Sequence, residues 1–185
     1  MFDLVVEMSN AILGIEQRHI DRLIAAGVPE HVVAGDEGLH QWGIMRVQPE
    51  GKYGFVPDPE DGKEAYISFS RHRGGVSDLI AWHPASPANW RWRIGDEPLL
   101  NLDNLERRWP GEGPLKIHAT PLDFLRGGAE GVVILDWSAS RDIRRLAMED
   151  AIVGPKAAID RLDSMLRAPV RMPRFQRTEA PRAAA

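Results

Sequence analysis

Asp136 and His118 are the residues of this chain whose types and placement could do acid–base or metal chemistry. Each closes a short apolar run, in Leu115-Lys-Ile-His118 and in Gly131-Val-Val-Ile-Leu-Asp136-Trp137. A third apolar segment, Ala151-Ile-Val153, ends at Gly154. If the three runs are parallel strands, their C-terminal ends share one sheet edge. Each would then be followed by a helix start with free N–H groups and a partial positive charge. Such an edge binds anions, and it is where open α/β sheets hold ligands. Thr120, Ser138 and Gly154 are therefore candidate ligand- or anion-binding positions. Asp136 is the catalytic candidate, with His118 as its partner. A plainer alternative stands beside this one, in which Asp136 caps the next helix from a loop and His118 is a surface residue.

A second constellation is Asn89-Trp-Arg-Trp-Arg93. In an extended chain Trp90 and Trp92 share one face while Arg91 and Arg93 share the other. Aromatic and basic faces on one strand are the materials of a single-strand nucleic-acid platform. They are also, and more commonly, those of a strand whose tryptophans pack on a core with solvated arginines behind.

Other chemistries are disfavoured. With no cysteine, thiolate metal sites, disulfides and thiol nucleophiles are excluded. The G-x-x-x-x-G-K-S/T loop, G-x-G-x-x-G, G-x-S-x-G and H-E-x-x-H are absent. The histidines at 19, 31, 40, 72, 83 and 118 lack ligand spacing, and His72, Asp78 and His83 are the closest set. No metal and no cofactor are expected.

The elements that must position these residues can be read in order. Residues 9–26 suit a helix capped by Ser9 or Asn10 and ended by Gly27 and Pro29. Its stripe holds Ile12, Ile15, Leu23 and Ala26, with His19 inside it as a core or boundary residue. A helical N-terminal segment, 1–36, thus precedes mainly antiparallel strands over 39–93, broken by the turn Asp58-Pro-Glu-Asp-Gly62. This meander is expected to extend or cap the later sheet. Residues 115–168 alternate as β-α-β-α-β-α. Thr120-Pro121 opens a first helix to Arg126, a second runs over about 141–148, and Gly154-Pro155 starts a third that ends at Arg167. The run at 131–136 has the look of a strand buried on both faces. The expected class is α/β, with α+β as the variant: a small mixed sheet in one globular domain, 1–168.

An apolar fraction of 43% with 27% charged residues fits a globular protein with a core. No run approaches the ~20 apolar residues of a membrane span, and no signal peptide is read, so a cytoplasmic location is the default expectation. The charge is uneven. Residues 141–185 carry ten Lys and Arg against six Asp and Glu, whereas the rest is acidic. The Arg-rich stretch 169–185 is expected to be a disordered basic tail, solubilising or directed at nucleic acid or an acidic protein partner.

Two resemblances bear on function. The order of elements around residues 131–136 is similar to the small α/β domain of primases and topoisomerases. That family needs a glutamate after its first strand and Asp-x-Asp after a later one. Here those places hold His118-Ala-Thr120 and Asp136-Trp-Ser138, so its activity does not carry over. The segments Ser77-Asp-Leu-Ile-Ala-Trp82, Trp90-Arg-Trp-Arg-Ile-Gly95, Thr120-Pro-Leu-Asp-Phe-Leu-Arg-Gly127 and Gly131-Val-Val-Ile-Leu-Asp-Trp137 resemble a group of uncharacterised bacterial prophage and mobile-element proteins. The resemblance spans about residues 40–166 and implies neither an activity nor functional residues. The expected function is a binding or accessory protein without catalysis of its own. The alternatives are a metal-dependent hydrolase or nucleotidyl enzyme using Asp136, and a single-stranded nucleic-acid binder using Trp90, Trp92 and the tail.

Overall fold

The structure is a computed structural model, and it describes residues 3–35, 40–95, 97–106, 108 and 113–168. The expected basic tail, 169–185, lies outside the described residues.

The first helix is broken in two. Asp3 caps α1 (Leu4–Leu13) by accepting the Val6 N–H at 3.1 Å. Ser9 lies inside α1, its hydroxyl donating to the Val5 carbonyl, and Asn10 is likewise internal, so neither caps. Glu16 then adopts an extended backbone and starts α2 (Gln17–Ala25), its N–H donating to His19 Nδ1 at 3.0 Å. The reason for the break is tertiary. Gly14 lies so close to the Ile44 carbonyl that a Cβ there would sit 2.6 Å from the oxygen. A short α3 (Glu30–Ala34) follows Pro29.

The meander does not join the later sheet. It closes into a barrel of its own from β1 (Trp42–Glu50), β2 (Gly54–Pro57), β3 (Lys63–His72), β4 (Gly75–Trp82) and β5 (Arg91–Trp92), in the order β1-β2-β5-β4-β3. The pairs are antiparallel except β2 with β5, which meet in parallel at Gly54 and Trp92. Period-2 alternation divides the long strands between two cores. Ala65, Ile67, Phe69, Leu79 and Ala81 pack with Phe55 and with α1 through Ala11 and Met8. Ile44, Tyr66, Ile80 and Trp82 face the rest of the molecule.

The second sheet runs β6 (Leu99–Leu100), β8 (Val132–Ile134), β7 (Leu115–His118) and β9 (Ile152–Val153). The last three strands are parallel, and β6 is antiparallel to β8. With α5 (Pro121–Arg126), α6 (Ser140–Ile143) continued by a 3₁₀ turn, and α7 (Lys156–Arg167), the β-α-β-α-β-α order is the one expected. A short α4 (Leu102–Glu106) links the two halves, its Asp103 carboxylate accepting the Arg73 and Gly74 N–H groups in the β3–β4 turn. The fold class is α/β.

The strand β8 is buried on both faces, as its sequence indicates. Val132 and Ile134 pack with Leu146 and with Leu162 of α7. Val133 and Leu135 pack with Phe124 and Leu125 of α5 and with Tyr66 and Trp82 of the barrel. The barrel is thus one cover of the sheet, and the seam between them holds the candidate site. Among the described residues no helix is long and apolar enough to cross a membrane.

Candidate binding trough

The seam opens into a cleft of about 780 Å3. One wall is the loop after β5, Arg93-Ile-Gly95; the other is the segment after β8, Leu135 to Ala139. The walls are fixed by different devices.

Asp78 of β4 holds the first. Its side chain is fully buried (0% exposed), with Oδ1 accepting from the N–H groups of Leu79, Arg93 and Ile94 and Oδ2 from that of Gly95. Burial pushes this carboxyl above the usual carboxylate range, against the pull of the four N–H groups. The Arg93 guanidinium turns away from solvent and makes a two-pronged contact with Glu7 of α1, at 2.8 and 3.0 Å. Glu97, also buried, lies behind the loop near Asp78. Burial raises its carboxyl too, opposed by the Ser77 hydroxyl and by His72, whose Nδ1 is 3.7 Å away.

The second wall begins where the Leu135 and Asp136 N–H groups both donate to the Pro98 carbonyl. Asp136 then closes a tight turn, its Oδ1 accepting from the Ser138 N–H at 2.8 Å and the Ser138 hydroxyl at 2.7 Å. Oδ2 receives no hydrogen bond from the described residues. Trp137 packs at the edge of the sheet's outer core, and the Arg161 guanidinium of α7 lies 4.4 Å from its ring centroid.

A smaller groove of about 490 Å3 continues the cleft past Trp90 and Asn89, sharing Tyr53, Trp92 and Leu135 with it. The Tyr53 ring stands edge-on to Trp92 at 5.9 Å, carries Lys52 Nζ at 4.7 Å from its centroid, and is 56% exposed. Arg91 donates to the Lys52 and Gly54 carbonyls and so ties β5 to the turn before β2.

The structure therefore joins Asp136, Ser138, Trp90, Arg91, Trp92 and Arg93 along one trough. It leaves three other candidates outside. His118 faces α5, ring edge to Phe124 at 5.9 Å, with Nε2 2.8 Å from the Glu130 carbonyl. Thr120 is buried, capping α5 through the Asp123 N–H. Gly154 lies over the Ile117 carbonyl beside β9. Arg91 and Arg93 do not form one basic face, since each guanidinium goes to a different protein acceptor. Of the remaining set, His72 sits between Glu97 and Glu106, Asp78 is the loop anchor, and His83 is at the far end of β4. Among the described residues no three His, Asp or Glu side chains are placed to hold one metal ion. Tyr53 and Arg161 were not legible as site residues, because only tertiary folding brings 53 and 161 to the same groove. Trp137 carried a signal, being an aromatic residue directly after the strand end.

Comparison with protein-family models, with curated proteins and with solved structures finds no match to this chain.

Proposed function

We propose that this chain is a binding or accessory protein that holds its ligand in the barrel–sheet trough and performs no chemistry on it. The observation that carries the reading is a cleft lined by aromatic rings, in which Asp136 and His118 do not come together. Asp136 is engaged in its own turn, and His118 is turned to the Glu130 carbonyl and the Phe124 ring. A few ordered polar groups among aromatic walls are the usual composition of a site that orients a ligand. A setting in a phage or other mobile element is part of the proposal, supported by the resemblance of segments within residues 40–166.

The test is a fragment screen by NMR on the full-length protein, following the indole N–H signals of Trp90, Trp92 and Trp137. Trp42 and Trp82 serve as internal controls, since their indole N–H groups donate to the Val33 carbonyl and the Ser68 hydroxyl inside the core. Hits should gather on the first three signals. Hits gathered in the cleft beside His19 would overturn the reading. So would a nuclease, phosphatase or nucleotidyl-transfer activity lost in Asp136→Ala. Magnesium or manganese raising the melting temperature of wild type but not of Asp136→Asn would favour the metal-dependent enzyme instead.

A further inference from the structure

We propose that the ligand of the trough is a neutral, linear oligosaccharide. This deepens the binding reading and rests on it. Three observations select the class. The first is shape: two connected grooves share Tyr53, Trp92 and Leu135, so the surface is elongated and suits a chain of similar units more than one compact molecule. Trp90 and Trp92 are packed against the core on one side, which makes them rigid platforms. The C–H face of a sugar ring stacks on such a platform while its hydroxyls point to the rim.

The second observation is the rim. Glu50, Asp136 and Asp142 contribute carboxylates and Arg161 a planar fork of donors held over Trp137. Paired acceptors and donors around an aromatic floor match vicinal hydroxyls, each of which both gives and takes a hydrogen bond.

The third is charge, and it decides between polymers. A single-stranded nucleic acid also stacks on aromatic rings, but it brings a negative charge with every unit and needs a basic track. Here the two arginines do not form one track: Arg93 is paired with the Glu7 carboxylate, and Arg91 is held through Nη1 on two backbone carbonyls. Three carboxylates line the cleft in their stead. A quaternary ammonium ligand fits no better, because Lys52 and Arg161 already lie against the Tyr53 and Trp137 rings.

The experiment titrates the labelled full chain with cellohexaose, chitohexaose and maltohexaose, and separately with oligothymidylate, at low and high salt. At least one hexasaccharide should shift the Trp90 and Trp92 indole signals saturably, with an affinity that salt leaves unchanged. Tyr53→Ala should weaken that binding about tenfold or more while the protein stays folded, with a modest fall in melting temperature from the lost contact with Trp92. Trp92→Phe, which keeps a ring in the core, provides a second variant and should weaken it less. If only oligothymidylate shifts these signals, with binding that falls steeply with salt, the ligand class is wrong and the trough reading stands. If no probe shifts them although fragments do, the oligosaccharide falls and binding in the trough stands. If fragments avoid them as well, both fall together.

Discussion

Two clefts of similar size flank the barrel, and they differ in how their side chains are used. The one between α1–α2 and the strands β1 and β3, about 850 Å3, is the larger. Several of its charged groups are engaged with neighbouring protein groups. Arg18 bridges Glu16 and Glu64 at 2.9 and 2.8 Å, Arg46 donates to the Gly62 carbonyl, and His19, 1% exposed, accepts the Glu16 N–H while Nε2 faces Glu64 at 3.2 Å. The Glu16 contacts hold Arg18 charged, pushing its guanidinium further up. A ligand bound there would have to desolvate and unpair the Arg18 contacts with Glu16 and Glu64. In the trough the tightest pairing is behind the walls, at Asp78 and at Glu7–Arg93, and aromatic rings line the cleft beside a rim of Glu50, Asp136, Asp142 and Arg161. Volume alone does not separate the two clefts. The distinction lies in whether the fixed groups are on the surface or beneath it.

The largest expected effect separates the floor of the trough from the opposite side of the same strand. Leu135→Ala and Ile134→Ala each remove a buried aliphatic side chain from β8 or its end, and each should cost about 2–5 kcal/mol of unfolding free energy. Only Leu135 lines the trough. Denaturant titration of both variants should therefore show similar losses, while probe binding changes in Leu135→Ala alone. A denaturation midpoint left unmoved by Ile134→Ala would mean that β8 is not central.

Asp78→Ala attacks the wall and not the floor. It removes the acceptor of four N–H groups, and an unsatisfied buried donor costs about 1–3 kcal/mol. Arg93 N–H keeps a second acceptor in the Leu79 carbonyl at 2.9 Å, so the expected loss is about 3 kcal/mol. Amide exchange should speed up at Ile94 and Gly95 while the cleft beside His19 is unaffected. Equal acceleration at both would show that the loop is not a separate unit.

How much of this was legible follows from the range of the interactions. The run Gly131-Val-Val-Ile-Leu-Asp136 declared a two-sided strand because both alternating sets are aliphatic, and each set has its own cover. Thr120-Pro121 declared its helix through local chemistry, a hydroxyl acceptor followed by a residue with φ preset. Barrel closure was not legible. It depends on a two-residue strand, Arg91–Trp92, meeting Gly54 in parallel, and no local pattern encodes a pairing so short and so distant. The break at Gly14 was hidden for the same reason, since the carbonyl that crowds it belongs to Ile44. Half of the trough was visible, in Asp136, Ser138, Trp90 and Trp92. The sequence placed them in two separate hypotheses because the barrel–sheet seam that unites them is tertiary.

A smaller effect is expected in the pH dependence of stability. Burial raises the carboxyls of Glu97 and Asp78, so the folded state binds more protons than the unfolded one above the ordinary carboxylate range, about pH 4. Their contribution therefore falls as pH rises through that window. Glu106 and Glu130 act in the opposite sense. Hydrogen bonds from Arg145 and Lys116 lower their carboxyls, adding stability that is lost as pH falls. Glu97→Gln removes one of the falling contributions, and its stability should decline less than that of wild type as pH rises from the carboxylate range toward neutrality. Parallel curves from urea midpoints would show that Glu97 is solvated and that Asp78 alone is the buried carboxyl behind the loop wall.

The smallest effect on stability should come from Arg161→Ala, and for that reason it separates the two clefts most sharply. Arg161 is exposed on α7 and its guanidinium covers the Trp137 ring, an interaction worth about 0.5–1 kcal/mol at an exposed site. Arg18→Ala is the matching change in the other cleft, where it breaks two solvent-exposed ion pairs of a kind that contribute little to stability. The two variants should unfold close to wild type and to each other. Their effects on the Trp137 indole signal and on occupancy of the trough should nevertheless diverge. Arg161→Ala uncovers one ring face and removes the rim's donor fork, so probe binding should change; Arg18→Ala should leave it as it was. Equal binding changes in both would mean that the surface pairing of the His19 cleft does not keep it closed, and the contrast between spent and presented surfaces would fail with it.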